Sequence, residues 1–586
     1  AMTISCLCWY YVVVFGCVTA GAPAVIAATR QGSKILLVES LYGLGGVATQ
    51  GAISSYYWGT RVGFTATVPG GASWVIEQKM EWYRSEVLKA GGDVWFGVIG
   101  CGALVQADRV IGAVVATPQG RGVVLAKVVV DATGNSDVAA PAGAECQYTD
   151  HTEFGMQGTG LPGRRLGETY NNTDFTIVDE TDMVDMTHVF VYAKEKYPDA
   201  FDHGKLIDTR ERRRIVGDFT ITLLDQINGR TYPDTVVVAR SNFDTHGYTV
   251  DPYLLVEHPG HAGFNVNIPY RAMLPKGLEG LIVTGLSTSA HRDAVPLIRM
   301  QPDIQNQGYA AGVAAAMAAK ANTLLRNIDL RDLQKHLVEI GNLPKSVLTD
   351  KDSFPLPDEA LAKAVESLKQ GHGAAALMTD PQRAVPLLKK AYQQAEPQHR
   401  LIYAKTLAVL GDNTGLDDLL KVVTGAEKWD KGWNYRGMGQ FGSALSELDT
   451  IIIALGRTGD RRALPAILEK AKLLDASVEF SHHRAVGLAC ELIGDPRAAP
   501  VLAEVLQKPG MTGHAHTSIE IARQRGAPGG TNAETTRRES LRELMLARAL
   551  YRCGDHNGLG KRILEQYTRD LRGHLARHAK AVLEKK

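Results

Sequence analysis

The chain has almost no net charge. Its 586 residues include 64 lysines and arginines against 63 aspartates and glutamates, so it lacks the strong field that attracts nucleic acid or anionic lipid. We therefore expect a small-molecule substrate, no nucleic-acid or membrane partner, and a cytoplasmic location. The length suggests three or four domains with room for large cores.

Cysteine is scarce as well. The seven cysteines are odd in number and scattered, which indicates no disulfide framework. Cys6 and Cys8 have no second pair of ligands, so we predict no metal site. The chain has neither the CxxCH motif of haem attachment nor the cysteine spacing of ferredoxins, and a redox reaction would therefore need an external electron acceptor.

Charged residues are missing altogether from residues 3–29. A stretch of this length can form a membrane span or a signal segment. However, it has no basic n-region, and Gly16, Gly21 and Pro23 interrupt it. We favour a buried strand followed by a helix.

Residues 9–39 have the pattern of a βαβ unit. An apolar run at residues 11–15 predicts a buried parallel strand, alanine-rich residues 20–30 predict a helix, and residues 35–38 predict a second strand that ends at Glu39. In such units a glycine turn brings a helix N-terminus against a pyrophosphate, and the terminal acid binds the ribose hydroxyls.

The glycine fingerprint of this unit is incomplete. Gly16 and Gly21 occupy two of its positions, but Val18 stands where the middle glycine belongs. Because that glycine lets the backbone approach the pyrophosphate, a β-branched residue there should crowd a dinucleotide or push it outward. The fingerprint alone leaves dinucleotide binding open.

Two glycine-rich turns follow. The loop at residues 41–51 offers backbone amides that can close on phosphate or ring oxygens, although a flexible surface loop would have the same composition. A predicted helix (residues 74–90) and four strands (residues 94–98, 102–106, 110–117 and 123–130) lead to a second turn, Asp131 to Gly134. We expect this turn at the same sheet edge as Gly16.

Between these turns lie Tyr56, Tyr57, Trp58 and Arg61. They are interpreted either as an aromatic wall beside a planar cofactor or as part of the core.

The order of these motifs resembles FAD-dependent oxidoreductases of the glutathione reductase type, and more closely a branch in which a substrate domain interrupts the flavin domain. The resemblance rests on the βαβ unit with Glu39, the LGG-x-x-T loop, the D-A-T-G-N strand end, and the strand and helix within residues 281–320. It covers residues 9–330.

The resemblance implies an α/β Rossmann-like FAD-binding domain of three layers, formed by residues 1–150 and 276–330. It also implies an inserted α+β substrate domain at residues 151–275. A linker at residues 331–357 would then lead to a C-terminal all-α domain of helical repeats at residues 358–586.

The resemblance also implies the FAD contacts. Gly16, Ala20, Gly21 and Gly285 would face the pyrophosphate and Glu39 the adenosine ribose. Gly45, Gly46 and Thr49 would lie near the ribityl chain and phosphates, and Asp131, Ala132, Thr133 and Gly134 beside the adenosine. Gln307 and Gly308 would present a helix N-terminus to the flavin pyrimidine oxygen, where its dipole stabilises the negative charge of a reduced flavin.

The proposed substrate domain contains a run of charges. Residues 210–214 read RERRR and pass directly into apolar Ile215 and Val216, so at least one arginine should point inward. A buried arginine can clamp a substrate carboxylate, although structural ion pairing explains such a run equally well. We take Arg213, together with Arg61, as a catalytic candidate. His246 and Tyr248 could reach the same cavity or could be loop residues.

The segment after Gly285 is the best candidate for chemistry. His291 can act as a base for an alcohol proton, Arg292 can stabilise an oxyanion, and Asp293 can orient either. The alternative is that these residues only cap the loop. Arg299 could contact flavin or substrate.

Beyond residue 357 the chain consists of helices with a shared ending. A Gly-Asp pair closes helices at Asp412, Asp460, Asp495 and Asp555, a pattern that resembles HEAT-type repeats. Insertions at residues 429–442 and 507–536 could contact the catalytic half or an adjoining subunit, which leaves a homo-oligomer open.

We predict an FAD-dependent oxidoreductase, a dehydrogenase or oxidase, that transfers a hydride between flavin N5 and a polar small molecule. The alternative is a chain that has lost its cofactor through Val18 and serves as a binding or scaffold protein.

Overall fold

The computed structural model describes residues 5–153, 159–161, 163–169, 179, 181–203, 205, 208–209, 212–245, 247–434, 443–525 and 534–585. The larger strands are β1 (Ser5–Phe15), β2 (Ile35–Glu39), β3 (Asp93–Phe96), β4 (Ile99–Gln106), β5 (Arg109–Thr117) and β6 (Gly120–Asp131). They are followed by the two-residue strands β7 (Cys146–Gln147), β8 (Thr159–Gly160), β9 (Gly163–Arg164), β10 (Asp202–His203), β11 (Asp208–Thr209) and β12 (Arg214–Ile215). The last strands are β13 (Thr235–Asn242), β14 (Gly263–Pro269) and β15 (Leu281–Val283).

The helices of the first part of the chain are α1 (Gly21–Arg30), α2 (Phe64–Thr67), α3 (Ile76–Lys89), α4 (Met183–Lys196), α5 (Leu223–Ile227), α6 (Gln301–Ala321) and α7 (Leu330–Glu339). The next are α8 (Asp358–Ser367), α9 (Ala374–Met378), α10 (Pro381–Gln394), α11 (Pro397–Val409), α12 (Leu416–Gly425), α13 (Glu447–Arg457) and α14 (Leu464–Lys472). The last are α15 (Phe480–Ile493), α16 (Ala498–Gln507), α17 (Ile519–Arg525), α18 (Glu534–Arg552), α19 (Leu559–Tyr567) and α20 (Gly573–Glu584).

The central sheet is parallel through β3, β2, β1, β6 and β15. Phe15 at the end of β1 pairs with Val38 on one side and Asp131 on the other, and Asp131 also pairs with Val283. Four strands therefore end at the same level. The turns that follow them share one carboxyl edge, which is where open α/β sheets bind ligands.

The sheet is the middle of three layers. On one face, β1 residues such as Val12 and Val14 pack with α1 and α6. On the other face, Val13 and Phe15 pack with the antiparallel β4–β5 hairpin, which continues from the first half of β6. This confirms the Rossmann-like fold with a mixed sheet that the sequence predicts. The charge-free stretch forms β1 and α1, so the membrane-span alternative is wrong.

Two glycines bring α6 close to α1. A Cβ atom on Gly308 would overlap the carbonyl oxygen of Ala20, and one on Gly312 would overlap that of Ala24. Because each glycine lies over one turn of α1, the two helices can touch through their backbones. This contact fixes the N-terminal half of α6 beside the start of α1.

The helices after residue 357 lie in two layers. In one layer α11 contacts α13, α13 contacts α15, and α15 contacts α18. In the other layer α12 contacts α14, and α14 contacts α16. The Gly-Asp endings have a physical reason: Gly411, Gly459, Gly494 and Gly554 have positive φ, which suits helix C-termini. Asp460 and Asp495 each accept a backbone N–H two residues onward. The assignment of these helices to the HEAT type stays a prediction.

The helical region and the sheet region share one core. A single cluster of buried apolar side chains extends from Val12 in β1 to Val582 in α20. The predicted linker is also tied down, because Asp352 pairs with Arg230 at 2.9 Å. The domain boundaries predicted from the sequence remain predictions, and no helix in the described part of the chain is both long and apolar enough to span a membrane.

Candidate functional site

Gly16 forms the first turn at the carboxyl edge of the sheet. Its φ is +79°, and a Cβ atom on it would lie 2.7 Å from Cα of Thr133. Both the left-handed backbone and the close approach of the second turn therefore require glycine here. The turn leads to α1, whose N-cap residue Ala20 offers no side-chain acceptor to the first helical N–H groups. A helix N-terminus without such a cap is suited to an anion.

Val18 fits beneath two other glycine turns. A Cβ atom on Gly46 would overlap Val18 and lie 2.7 Å from the nitrogen of Thr19, and one on Gly134 would lie 3.8 Å from Cγ2 of Val18. Gly46 is therefore needed for the close approach of its loop to Val18, whereas the 3.8 Å distance at Gly134 is an ordinary van der Waals contact.

Glu39 lies at the end of β2 and is 4% exposed. Oε2 accepts the backbone N–H of Cys17 at 2.5 Å, and Oε1 accepts that of Leu41 at 2.7 Å. Burial raises the pKa of its carboxyl group, while the backbone N–H groups oppose this shift. Glu39 therefore joins the first turn to the loop after β2.

That loop packs on the first turn. Gly45 donates its N–H to the carbonyl of Cys17 at 2.9 Å. Thr49 is fully buried, and its hydroxyl donates to the carbonyl of Leu44 at 2.6 Å. Thr49 thus holds the loop closed from inside.

Asp131 occupies an interior position. One carboxylate oxygen accepts the N–H and hydroxyl of Thr133, and the other accepts the N–H groups of Val138 and Ala139 at 2.9 and 2.8 Å. Asp131 thus stabilises the turn through its side chain. Thr133 lines a cavity at the carboxyl edge of the sheet. Ala132 is buried, and its N–H donates to the carbonyl of Phe15.

Gly285 forms the turn after β15 with φ +83°. Gln307, in α6, is almost fully buried, and its Oε1 accepts the N–H of Gly285 at 2.7 Å while its Nε2 donates to Thr288 at 3.0 Å. This amide anchors the Gly285 turn to α6. Gly308 lies one residue further, against Ala20. Because α6 begins at Gln301, the prediction that Gln307 and Gly308 lie at a helix N-terminus is wrong.

The first turn, the loop after β2 and the turn after β6 enclose a cavity of about 180 Å³, which we name the edge cavity. The residues that line it include Gly16, Val18, Glu39, Gly46, Gln50, Val98, Ile99, Thr133, Asp137 and Arg212. Gly285, Gln307 and Gly308 are not part of this lining. Distant segments of the sequence therefore meet at one concave site.

The arginine run divides between two places. Arg212 lines the edge cavity. Arg213 donates to the carbonyl of Asn135 at 3.0 Å and pairs with Asp137 at 2.5 Å, and Arg214 is buried with its Nε donating to the carbonyl of Ala290. The inward orientation of the run agrees with the prediction. Arg213 pairs with Asp137, which lines the edge cavity, and the catalytic role predicted for Arg213 stays a prediction. Residues 210, 211 and 246 lie outside the described residues.

His291 precedes a 3-10 turn (Arg292–Leu297). Its Nδ1 accepts the N–H of Asp293 at 3.3 Å, and its own N–H donates to the carbonyl of Ile221 at 2.8 Å. Asp293 in turn accepts the N–H groups of Val250 and Asp251, both at 2.7 Å. The loop is therefore capped, as one of the two alternatives predicted, yet the half-buried imidazole remains accessible.

Arg292, which the sequence suggests as a stabiliser of an oxyanion, points into the protein interior. Its guanidinium is 3% exposed and donates to Glu153 at 3.2 Å and to the carbonyl of Tyr248 at 3.3 Å. These contacts make it a structural link between loops, because its charge is already balanced. Arg299 is likewise paired, with Asp244 at 2.9 Å.

Tyr56, Tyr57 and Trp58, which are adjacent in the sequence, lie in different surroundings. Tyr56 belongs to a buried polar cluster with Trp74, Lys79 and Gln305, whereas the ring of Tyr57 is largely exposed. Arg61 is exposed, with its guanidinium 5.2 Å from the Tyr56 ring. Trp58 lies against Gly263 and Arg240.

Lys79 was not predicted as a functional residue. Its Nζ is 2.9 Å from the Tyr56 hydroxyl and 3.1 Å from the centre of the Trp74 ring. Burial, followed by the nearby charge of Arg61, lowers the pKa of Lys79 to about 6. A signal existed in the sequence, since Lys79 shares a helix face with Ile76, Tyr83 and Val87.

Asp303, in the first turn of α6, was also missed. It accepts the N–H groups of Thr60 at 2.7 Å and Arg240 at 3.1 Å. Burial raises the pKa of Asp303 to about 7, although the backbone donors oppose the shift. It joins the start of α6 to the loop at Thr60 and to strand β13, which no local pattern connects.

A family model described as "FAD dependent oxidoreductase" matches residues 11–188 and 185–337, which together span more than half of the chain. The chain belongs to this family. FAD is its cofactor, and the chain is an FAD-dependent oxidoreductase. No curated protein sequence matches the chain.

Several solved structures are similar to parts of this oxidoreductase. THI4 of Thermovibrio ammonificans is 23% identical over 24% of this chain and 66% of its own, slightly under two thirds, with a TM-score of 0.21. A geranylgeranyl bacteriochlorophyll reductase-like protein from Thermoplasma acidophilum is 15% identical over 66% of this chain and 99% of its own, with a TM-score of 0.28. The 3-ketosteroid-delta4-(5alpha)-dehydrogenase of Rhodococcus jostii is 14% identical over 53% of this chain and 98% of its own, with a TM-score of 0.26. At these scores the likenesses add nothing to what the family model shows.

The lining of the edge cavity suits the phosphate and ribose part of FAD. Gly16 and Gly46 leave spaces that a Cβ atom would fill, and the start of α1 offers N–H groups without a side-chain cap. Arg212 adds a positive charge and Glu39 a carboxylate at the wall. Backbone donors, a cation and an acid are the groups that a dinucleotide needs for its phosphates and ribose.

Proposed function

We propose that this oxidoreductase transfers a hydride between FAD and a polar small molecule, and that electrons are exchanged with an external partner. The convergence of the Gly16, Gly46, Thr133 and Glu39 turns on the edge cavity carries this proposal. Bound FAD supplies a ring that can accept or donate a hydride. The chain's own residues must then bind the cofactor and stabilise the charge that develops on the substrate.

We propose that the first turn, the Gly46 loop and Arg212 hold the phosphates and adenosine of FAD, with Glu39 at the ribose. The Gly285 turn lies beside the starts of α1 and α6, since a Cβ atom on Gly285 would lie 3.9 Å from Cβ of Ala20 and 3.9 Å from Cγ2 of Ile304 in the first turn of α6. The dipole of the 21-residue helix α6 favours negative charge at that end. The redox ring is therefore proposed to lie toward α6.

We propose His291 as the group that contacts the reacting oxygen of the substrate. Because Nδ1 accepts the N–H of Asp293 at 3.3 Å, a neutral imidazole would carry its proton on Nε2. This Nε2–H can donate a hydrogen bond to a substrate oxygen that gains negative charge during reduction of a polar C=O or activated C=C bond, while the proton that completes the reduction comes from solvent. The base role that the sequence predicts for His291 stays a prediction.

His291→Phe tests this proposal. It should keep bound FAD but lower the rate of substrate turnover by about a hundredfold or more, the usual contribution of a hydrogen-bond donor to a developing oxyanion. The measurement is anaerobic stopped-flow of flavin absorbance, with pre-reduced enzyme mixed with a panel of carbonyl and enone compounds. His372→Phe is the matched control, because His372 is exposed on the helical region. Unchanged turnover in His291→Phe would remove His291 from the mechanism.

A further inference from the structure

A second, larger cavity lies between the sheet region and the helical region. It has a volume of about 660 Å³. One wall is formed by residues 151–153 and 248–255, and the other by side chains from α13, α15, α18 and the end of α20. We name it the arginine cavity, after Arg457, Arg484, Arg548 and Arg552, which line it together with Lys585.

The lining has an excess of positive charge. Five basic residues face three acids, Glu153, Asp251 and Glu491, which leaves two positive charges. Glu491 pairs with both Arg548 at 2.7 Å and Arg552 at 2.9 Å, and Glu153 pairs with Arg292 behind the wall. Among the described residues, no carboxylate forms an ion pair with Arg457, Arg484 or Lys585.

Arg484 is the central case. It is 3% exposed, its Nη2 donates to the carbonyl of Thr249 at 2.5 Å, and its guanidinium lies 4.3 Å from the Tyr248 ring centre. Its Nε and Nη1 have no acceptor within the described chain. Burial lowers the pKa of Arg484, and the nearby charge of Arg292 lowers it further, while Tyr248 and the more distant Asp293 and Asp449 oppose this shift. A buried cation without a carboxylate is costly unless an anion joins it.

The rest of the lining is apolar. Leu255, Ile453, Leu488 and Met545 are among its side chains. A volume of this size is within the range of pockets that enclose a whole small organic molecule. The lining therefore combines one buried cation with a hydrocarbon surface.

We propose that the arginine cavity binds an organic acid, a carboxylate or phosphate ester with an apolar body, whose negative oxygens contact Arg484. The guanidinium supplies charge-assisted hydrogen bonds to the acid, and the leucines and Met545 cover its body. Arg457 and Lys585 add long-range attraction at the wall. This inference does not rest on the proposed hydride transfer.

The wall of the arginine cavity also contacts the loop that carries His291. Val250 and Asp251, in the cavity wall, donate their N–H groups to Asp293, which follows His291 by two residues. An acid bound against this wall would order the loop on which His291 depends. Binding of a small molecule at the helical region would thereby affect the position of His291 in the oxidoreductase half.

The test is equilibrium binding to the full-length, FAD-loaded protein by calorimetry at constant ionic strength. The probes are hexanoate and phenyl phosphate, with hexanol and inorganic phosphate as controls for body and charge alone. At least one of the two organic acids should saturate a single site, and hexanol should bind at least about tenfold more weakly. Binding of hexanoate alone would assign a carboxylate ligand, and binding of phenyl phosphate alone a phosphate ester. Equal binding of hexanol, or no saturable binding of either acid, would overturn the proposal.

Variants locate the site. Arg484→Met should weaken binding of the acid at least about tenfold, whereas Arg569→Met, which changes an exposed arginine outside the cavity, should leave it unchanged. Leu488→Trp keeps every charge but fills the cavity, so it should also abolish binding. It serves as the second variant if Arg484→Met does not fold. Full affinity in whichever of these two variants keeps its FAD absorbance would overturn the assignment. Because FAD binding is monitored separately, failure here leaves the proposed function untouched.

Discussion

The edge cavity is lined mainly by backbone turns, whereas the arginine cavity is lined mainly by side chains. The edge cavity is formed by backbone turns that approach each other because side chains are missing, as at Gly16 and Gly46. The arginine cavity is formed by long side chains from separate helices, and its most distinctive residue is a buried cation. A substitution should therefore harm the first cavity by adding atoms, and the second by removing charge.

The largest effect is expected at the first turn. Gly16→Ala must accommodate both a φ of +79° and a Cβ atom 2.7 Å from Cα of Thr133. The strained backbone costs about 1–3 kcal/mol, and separation of the two turns should abolish FAD binding. The measurement is the ratio of flavin absorbance to protein absorbance after purification.

Gly32→Ala is a closely matched control for this variant. Gly32 has a φ of +80°, but no atom lies within 4 Å of its would-be Cβ. It should suffer the same backbone strain and keep its flavin. Equal loss of flavin in the two variants would show that general destabilisation, and not the contact between turns, is responsible.

The second effect has the opposite sign. In the absence of ligand, Arg484→Met replaces a buried charge with an apolar side chain of similar length. We expect the free energy of unfolding to rise by about 1–4 kcal/mol. Denaturant unfolding of the wild type, Arg484→Met and Arg569→Met measures this. A large loss of stability in Arg484→Met would mean that the guanidinium supports the fold, and the contrast between the cavities would fail.

A third effect is a pH dependence at Lys79. Its pKa falls from 10.5 to about 6 on folding, so between these pH values the unfolded chain binds more protons than the folded one. The free energy of unfolding should rise with pH across this window and level off below pH 6. Lys79→Met should flatten the rise between pH 6 and 9, whereas Lys89→Met, on the exposed end of the same helix, should keep it. Parallel curves for wild type and Lys79→Met would contradict the assignment.

The smallest effect is expected at Val18. Gly46 already allows its loop to lie against Val18, so Val18→Gly should tighten FAD binding by less than about tenfold. It should also lower the free energy of unfolding by about 1 kcal/mol, because a glycine is more flexible in the unfolded chain. Fluorescence titration of the stripped protein with FAD measures the first change. Weaker binding in Val18→Gly would show that valine contributes to the cofactor site.

The edge cavity could be predicted from the sequence because its signals are local. Each glycine turn follows a strand whose apolar run is visible in the sequence, and parallel strands must end at one edge, as Phe15, Asp131 and Val283 do. The orientation of side chains was less predictable. Asp131 turned inward to its own turn, and Arg292 turned to Glu153, since such choices depend on partners far away in the chain.

The arginine cavity could not be predicted in the same way. Arg457, Arg484 and Arg548 lie on α13, α15 and α18, and each is an ordinary helix residue until those helices pack against residues 248–255. Only tertiary packing shows that Arg484 has no carboxylate partner in the described chain. Asp303 was missed for the same reason, because its donors Thr60 and Arg240 lie far from it in sequence.

Hydrogen–deuterium exchange of the FAD-stripped protein with and without added FAD tests the central claim most directly. The account predicts simultaneous protection of four separate segments, which contain Gly16, Gly46, Thr133 and Gly285, while exposed helices such as α12 exchange as before. Protection of none of these segments, or of only one, would contradict the claim that distant turns form a single cofactor site.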